Sequence, residues 1–335
     1  MPLQAIEKST LSALPIVPAD VLRRFNVDEF ADGRFTACAR LLQSIWRDRR
    51  GLEPGRHRGT GGRSRKLGSR LSPSVARTGV GFLAPDIAKI TRREVAYREI
   101  GALIEERRLW ENLLSSQGLT FNLFARASAD RAYATRLFAT LFPDLIADVT
   151  GFAFEHSPGR GDPRYLGDYS AFDLFVWGVG PDGEPTFAAI EVKYSETMRR
   201  PSRGTNPRSR ELARAYALHH DPEAPGLLAE PLSQLTTEHL LAAVIKDQLG
   251  RGARGAFATI APADNREAWT AIDLYRASLA GEPDHVAFVP MTLEAVIAAV
   301  RSTGDADLAD ALYERYADFT PVHALIDDWQ PFAEA

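Results

Sequence analysis

Two apolar runs, SAFDLFVWGVG (170–180) and TFAAIEVKYSE (186–196), stand either side of Pro181-Asp182-Gly183-Glu184 and constrain this chain more than anything else in it. Both are rich in aromatic and β-branched residues, and the residues between them are turn formers, so they read as an antiparallel hairpin. Side chains alternate along a strand. Glu191 and Lys193 therefore share one face, and Ile190, Val192 and Tyr194 share the other. Folding about Asp182-Gly183 brings Asp173 beside this triplet, opposite residue 192. A regular two-residue turn would leave Asp173 on the wrong face, because directly paired residues point the same way. For the three charges to converge, the hairpin needs an odd-length loop or a β-bulge.

DVTGFAFEHS (148–157) precedes this pair as another strand, and GAFATIAPA (255–263) follows it after helical sequence. The expectation is an α/β fold: a small mixed central sheet (148–157, 170–180, 186–196, 255–263) flanked by helices, with added N- and C-terminal helices. Residues 1–46 read as an N-terminal helical segment and 85–335 as the main domain. Within the latter, 86–114 reads as one long amphipathic helix. Residues 47–84 read as an Arg/Gly-rich loop or arm. From Arg47 to Arg70 there are nine Lys/Arg against two acids, in a chain whose net charge is −4. Arg56, Arg58, Arg63, Arg65 and Lys66 make that arm a candidate phosphate contact, with Arg254 at the edge of the fourth strand as another.

No apolar run is long enough for a membrane span, and MPLQAIEKSTLSALPIV lacks the pattern of a secretory signal. A single cysteine, Cys38, excludes an internal disulfide and a cysteine-rich zinc site. A cytoplasmic protein is expected. His219-His220 lacks a second ligand pair at zinc spacing, and the glycines of the arm lack the spacing of a phosphate-binding loop.

Two carboxylates and an ammonium on one patch suit phosphodiester hydrolysis. A hard cation such as Mg²⁺ takes carboxylate oxygens and retains waters, and a lysine beside it can orient water or stabilise the phosphoryl oxygens. The chain has only five lysines among 40 basic residues. A generic surface ion pair would therefore fall to arginine, whereas a compact ammonium requires lysine.

Asp173 early in one strand, a hairpin, and Glu191-x-Lys193 late in the next resembles the layout of the PD-(D/E)XK nuclease superfamily. NLLSSQGLTFNLF (112–124), FEHSP (154–158), IEVKYSE (190–196) and APADN (261–265) are similar to a branch of restriction endonucleases. The resemblance implies a restriction-endonuclease-like core and a nuclease of DNA that uses Mg²⁺ or Mn²⁺. It implies Asp173, Glu191 and Lys193 as catalytic residues, with Asp173 and Glu191 as metal ligands. It also implies a defence role, with a homodimer or a defence-system protein as partner. Glu155, at the end of the first strand, is a further candidate ligand, as are Glu111 or Glu99 from the preceding helix. Gln117 could touch metal or phosphate, and Asn265 phosphate. The alternative is a non-catalytic module that keeps the fold to bind nucleic acid or a protein.

Overall fold

In a computed structural model, residues 14–58, 64–100, 102–196, 198, 207–281 and 286–329 are described. A five-stranded sheet forms the centre, from β3 (Asp148–His156), β4 (Phe172–Val179), β5 (Pro185–Val192), β6 (Arg254–Ala261) and β7 (Ala287–Thr292), in that spatial order. β1 (Pro54–Arg58) and β2 (Ser64–Leu71) form a separate antiparallel hairpin. β3, β4 and β5 pair antiparallel, whereas β5–β6 and β6–β7 are parallel. The mixed α/β architecture expected from the sequence is therefore the one observed.

The period-2 alternation of the strands divides the core into two layers. Leu174, Val176, Ile190, Val192, Ala258 and Ile260 face one side, against helices that include Arg34–Arg49, Ser116–Ala129, Leu293–Ser302 and Ala306–Tyr316. Phe175, Phe187, Ala189 and Phe257 face the other, against Ser233–Leu249 and Arg266–Ser278. The N- and C-terminal helices thus share one apolar cluster with the sheet.

Three expectations are corrected. The helix read over 86–114 runs only from Pro85 to Ala96, and a short second helix, Glu106–Glu111, follows. Val95, Ile100 and Gly101 are poor helix formers. Ile100 and Leu103, placed on the apolar stripe, are fully and half exposed. The basic stretch is no simple loop, since β1 and β2 occupy much of it. Its Leu67 and Leu71 are buried against the helix Arg34–Arg49, an apolar content that the surrounding Arg and Gly obscured. Finally, β7 was missed inside a region read as helices. Its AFVPMT contains Pro290, which cannot donate to a ladder and is tolerated because β7 lies at the sheet edge.

Candidate active site

The hairpin register decides whether Asp173 faces Glu191. Leu174 pairs with Ile190 and Val179 with Pro185, which leaves residues 180–184 as a five-residue loop. Gly180 N–H donates to Glu184 O (2.9 Å), Gly183 N–H donates to Gly180 O (3.0 Å), and Gly183 has a φ of +85°. The odd loop length shifts the register by one residue from the two-residue turn. Continued by one residue, it sets Asp173 across from Glu191 on the same face. On the other flank Phe154 pairs with Leu174 and His156 with Phe172, which sets Glu155 opposite Asp173. Glu191 pairs with Thr259 of β6. Glu155, Asp173 and Glu191 therefore lie on one rung across three strands, and Lys193 follows two residues beyond Glu191 on its face.

Glu155 holds a φ of +51°. A non-glycine residue in the left-handed region costs on the order of 1–3 kcal/mol and persists only where its surroundings enforce it. Here Gln117 Nε2 donates to Glu155 Oε1 (2.5 Å) and to Leu103 O (2.9 Å), tying the helix Ser116–Ala129 and the 102–105 segment to the end of β3. Gln117 Oε1 is buried with no hydrogen-bond partner among the described residues.

Asp173 Oδ2 accepts from Val192 N–H (2.8 Å). Burial, then the negative charges of Glu191 and Glu155, hold its carboxyl well above the ordinary carboxylate range, against Lys193 and that N–H bond. Lys193 and Glu191 are both buried, and Lys193 Nζ donates to Glu191 Oε1 (2.5 Å) and to Gln234 Oε1 (2.8 Å). Gln234 Nε2 donates to Glu191 Oε1 (2.7 Å) and to Glu238 Oε1 (2.7 Å). The amide of Gln234 is thereby oriented at both ends.

A second ion pair closes the neighbouring side. Glu196 Oε1 accepts from Arg108 Nη2 (2.5 Å) and from Ser116 N–H (3.0 Å), and Oε2 accepts from Tyr194 N–H (3.0 Å). Burial lowers the pKa of Arg108. The charges of Glu196, Asp173 and Glu155 outweigh it and raise that pKa above its ordinary value. Burial pushes the Glu196 carboxyl up, and Arg108 with Lys193 brings it below the ordinary range.

Gln234, Glu238, Arg108 and Glu196 were not singled out from the sequence. A signal for the first two was available. SQLTTEHLLAAVIKDQL is apolar on nearly all sides, and such a helix is buried, so a polar residue within it requires a partner.

Other candidates lie elsewhere. Glu111 is held by Arg107 (3.1 Å) and lies 4.0 Å from Arg70. Glu99 Oε1 bonds His156 Nδ1 (2.5 Å), next to Glu155. Asn265 caps the helix Arg266–Ser278 through Ala268 N–H and donates to Tyr194 O (2.9 Å), which corrects its reading as a phosphate contact. Arg254, read as a phosphate contact at the edge of the fourth strand, lies away from the acids. It pairs with Thr186, five residues or about 17 Å along the sheet from the Glu191–Thr259 pair, and is held by Asp182 (2.9 Å) and Asp144 O (2.9 Å). Arg56, Arg65 and Lys66 are exposed on the hairpin, Arg58 lies in β1, and Arg63 is outside the described residues.

Among the described residues, no group of three or more His, Cys, Asp or Glu is arranged to hold a metal ion. The local donor set does suit a hard cation that keeps several waters. Asp173 and Glu191 offer carboxylates, the buried Gln117 Oε1 is an unmatched acceptor, and the crowding that raises Asp173 would be relieved by positive charge. No helix among the described residues is long and apolar enough to cross a membrane.

The family model of the PD-(D/E)XK nuclease superfamily matches residues 30–318. No curated protein and no solved structure matches the chain.

Proposed function

The chain belongs to the PD-(D/E)XK nuclease superfamily, and from that premise we propose that it is a Mg²⁺- or Mn²⁺-dependent DNA endonuclease centred on Asp173, Glu191 and Lys193. Nucleases of this superfamily generally use divalent metal ions. The observation that carries the reading is the rung of Glu155, Asp173 and Glu191, with Lys193 beside it on the Glu191 face.

Asp173 and Glu191 would hold the divalent cation, with Gln117 and Glu155 beside them. When bound, the cation supplies Lewis-acid stabilisation of the phosphoryl oxygens and a lower pKa for water. The chain's own groups do the rest. Lys193 orients the attacking water and donates to phosphoryl oxygen as charge develops there. Gln234 fixes Lys193 and Glu191 relative to each other, so neither has to reorganise during the reaction. Arg108, held by Glu196, supplies a second positive charge near Asp173 and Glu155. Arg56, Arg65 and Lys66 on the β1–β2 hairpin would neutralise backbone phosphates.

A restriction or other defence role rests on the motif resemblance, and a cytoplasmic location fits a single buried thiol. Burial raises the Cys38 pKa to about 12, which keeps it unreactive. The non-catalytic reading is disfavoured because the two acids and the lysine all persist and share a face.

Incubation with single- and double-stranded DNA and RNA, with Mg²⁺, Mn²⁺ or EDTA, tests the reading. Divalent-dependent phosphodiester cleavage of DNA is expected. Binding without cleavage under every metal would favour the non-catalytic module.

A further inference from the structure

A groove of about 630 Å³ lies between β2 and the loop that joins the helices Ala19–Arg24 and Arg34–Arg49. Arg23, Arg65 and Lys66 bring three cations to it, Asp28 and Glu29 bring two carboxylates, and Asn26 brings an amide. Phe30, which also lines it, is fully exposed. An exposed apolar residue alone needs no explanation. An exposed aromatic face among three cations in a preformed groove is the combination that holds a nucleobase and its phosphates.

The walls of the groove are fixed. Gly68 N–H donates to Asn26 O (2.8 Å), and Arg47 Nε donates to Gly68 O (2.8 Å). A Cβ on Gly68 would lie 2.2 Å from Phe25 O and 2.5 Å from Ser44 Oγ, so glycine is required for β2 to press this closely on the loop. Arg65 is further held by Glu29. Arg65 therefore meets a ligand already held in place, which lowers the entropic cost of binding.

β2 also gives the groove a direction. Beyond Lys66 the strand reaches Ser69, whose carbonyl accepts from Leu113 N–H (3.0 Å), and Arg70, which bridges to Asn112. The chain from Leu113 leads directly into Ser116 and Gln117 of the acid cluster.

We propose that this groove is a second nucleic-acid site, which seats one unpaired base of a single strand on Phe30 with its flanking phosphates on Arg23, Arg65 and Lys66. Asn26, Asp28 and Glu29 face the base edge, where acidic acceptors suit an exocyclic amino group such as that of cytosine. The site deepens the nuclease reading and rests on it for the direction of the strand toward Asp173 and Glu191.

The test is equilibrium binding by fluorescence anisotropy of the full chain in EDTA, where binding is read without cleavage. The probes are a labelled single-stranded oligonucleotide and the blunt duplex of the same sequence. Phe30→Ala removes an exposed ring and leaves the packing intact. It is expected to weaken single-strand binding roughly tenfold while duplex affinity changes by less than about twofold. Phe30→Trp should retain single-strand affinity. Lys66→Ala should reduce the slope of log affinity against log salt by about one. Unchanged single-strand affinity in Phe30→Ala, an equal loss on duplex, or no binding by the wild type would each overturn the site. Cleavage measured separately with Mg²⁺ keeps the two readings apart. Phe30-dependent binding without cleavage leaves the site and removes the nuclease, and metal-dependent cleavage with an inert Phe30 does the reverse.

Discussion

Replacing Asp173 by asparagine removes one of three crowded carboxylates while keeping an oxygen for the Val192 N–H. The folded-state pKa of Asp173 lies above its unfolded value because burial, Glu191 and Glu155 all disfavour its charge. Folding of the metal-free protein therefore binds a proton in the interval between the two values, and stability falls as pH rises from about 3.8 through the raised pKa. Asp173→Asn abolishes that slope and should raise the metal-free melting temperature at pH 7 while eliminating cleavage. A melting temperature below wild type under those conditions would show that the carboxylate is a structural ion and not a crowded ligand. Gln234 has the opposite character, since its amide satisfies Lys193, Glu191 and Glu238 together. Gln234→Ala should lower single-turnover cleavage on the order of tenfold, less than loss of Lys193 itself, because the lysine survives but loses its fixed orientation. Wild-type rates in Gln234→Ala would remove it from the site. Strand alternation put Glu191 and Lys193 on one face from spacing alone, whereas the face of Asp173 depended on the five-residue loop, which the two-residue turn read at Asp182-Gly183 did not give. Gln234 and Arg108 were not legible in the sequence, because their roles depend on how the flanking helices pack on that face.

At the scale of elements, the β1–β2 hairpin depends on one glycine. A methyl group at Gly68 meets backbone oxygen at Phe25, which cannot move aside as a side chain could. Gly68→Ala should destabilise by about 1–3 kcal/mol, read as a shift in denaturant midpoint. It should also flatten the salt dependence of nucleic-acid binding, because Arg65 and Lys66 are displaced. A stable variant with an unchanged salt slope would mean that the hairpin tolerates separation from the loop. The three-strand meander, β6 and most of the helices were readable from period and turn residues. The hairpin was hidden because Arg and Gly dominate its composition while only Leu67 and Leu71 report its buried side. The break after Ala96 was hidden because apolar residues recur at helical spacing through Leu113, although several face solvent.

The whole molecule is tied across its ends by Arg315. This buried guanidinium donates to Gln43 Oε1 (3.1 Å) and Gly81 O (2.6 Å) and lies over the rings of Trp46 (4.1 Å) and Tyr316 (4.7 Å). Gln43 in turn donates to Arg315 O (2.7 Å) and Tyr194 Oη (3.3 Å), which joins the helix Arg34–Arg49 and the C-terminal helices to the residue after Lys193. Arg315→Ala leaves those acceptors buried and the rings unfilled, and should cost on the order of 3 kcal/mol in unfolding free energy. A loss below about 0.5 kcal/mol, the range of an ordinary surface substitution, would show that the two ends are held by apolar packing alone.

If Asp173, Glu191 and Lys193 form one hydrolytic centre, replacement of Lys193 isolates it best because both acids stay in place. Single-turnover cleavage of DNA with Mg²⁺ or Mn²⁺ by wild type and Lys193→Ala, both confirmed folded by circular dichroism, is the direct measurement. The expected result is metal-dependent cleavage by wild type and a loss of about 10²–10³-fold in Lys193→Ala, with DNA affinity in EDTA retained. Cleavage by Lys193→Ala at the wild-type rate, from protein free of contaminating nuclease, would contradict the assignment.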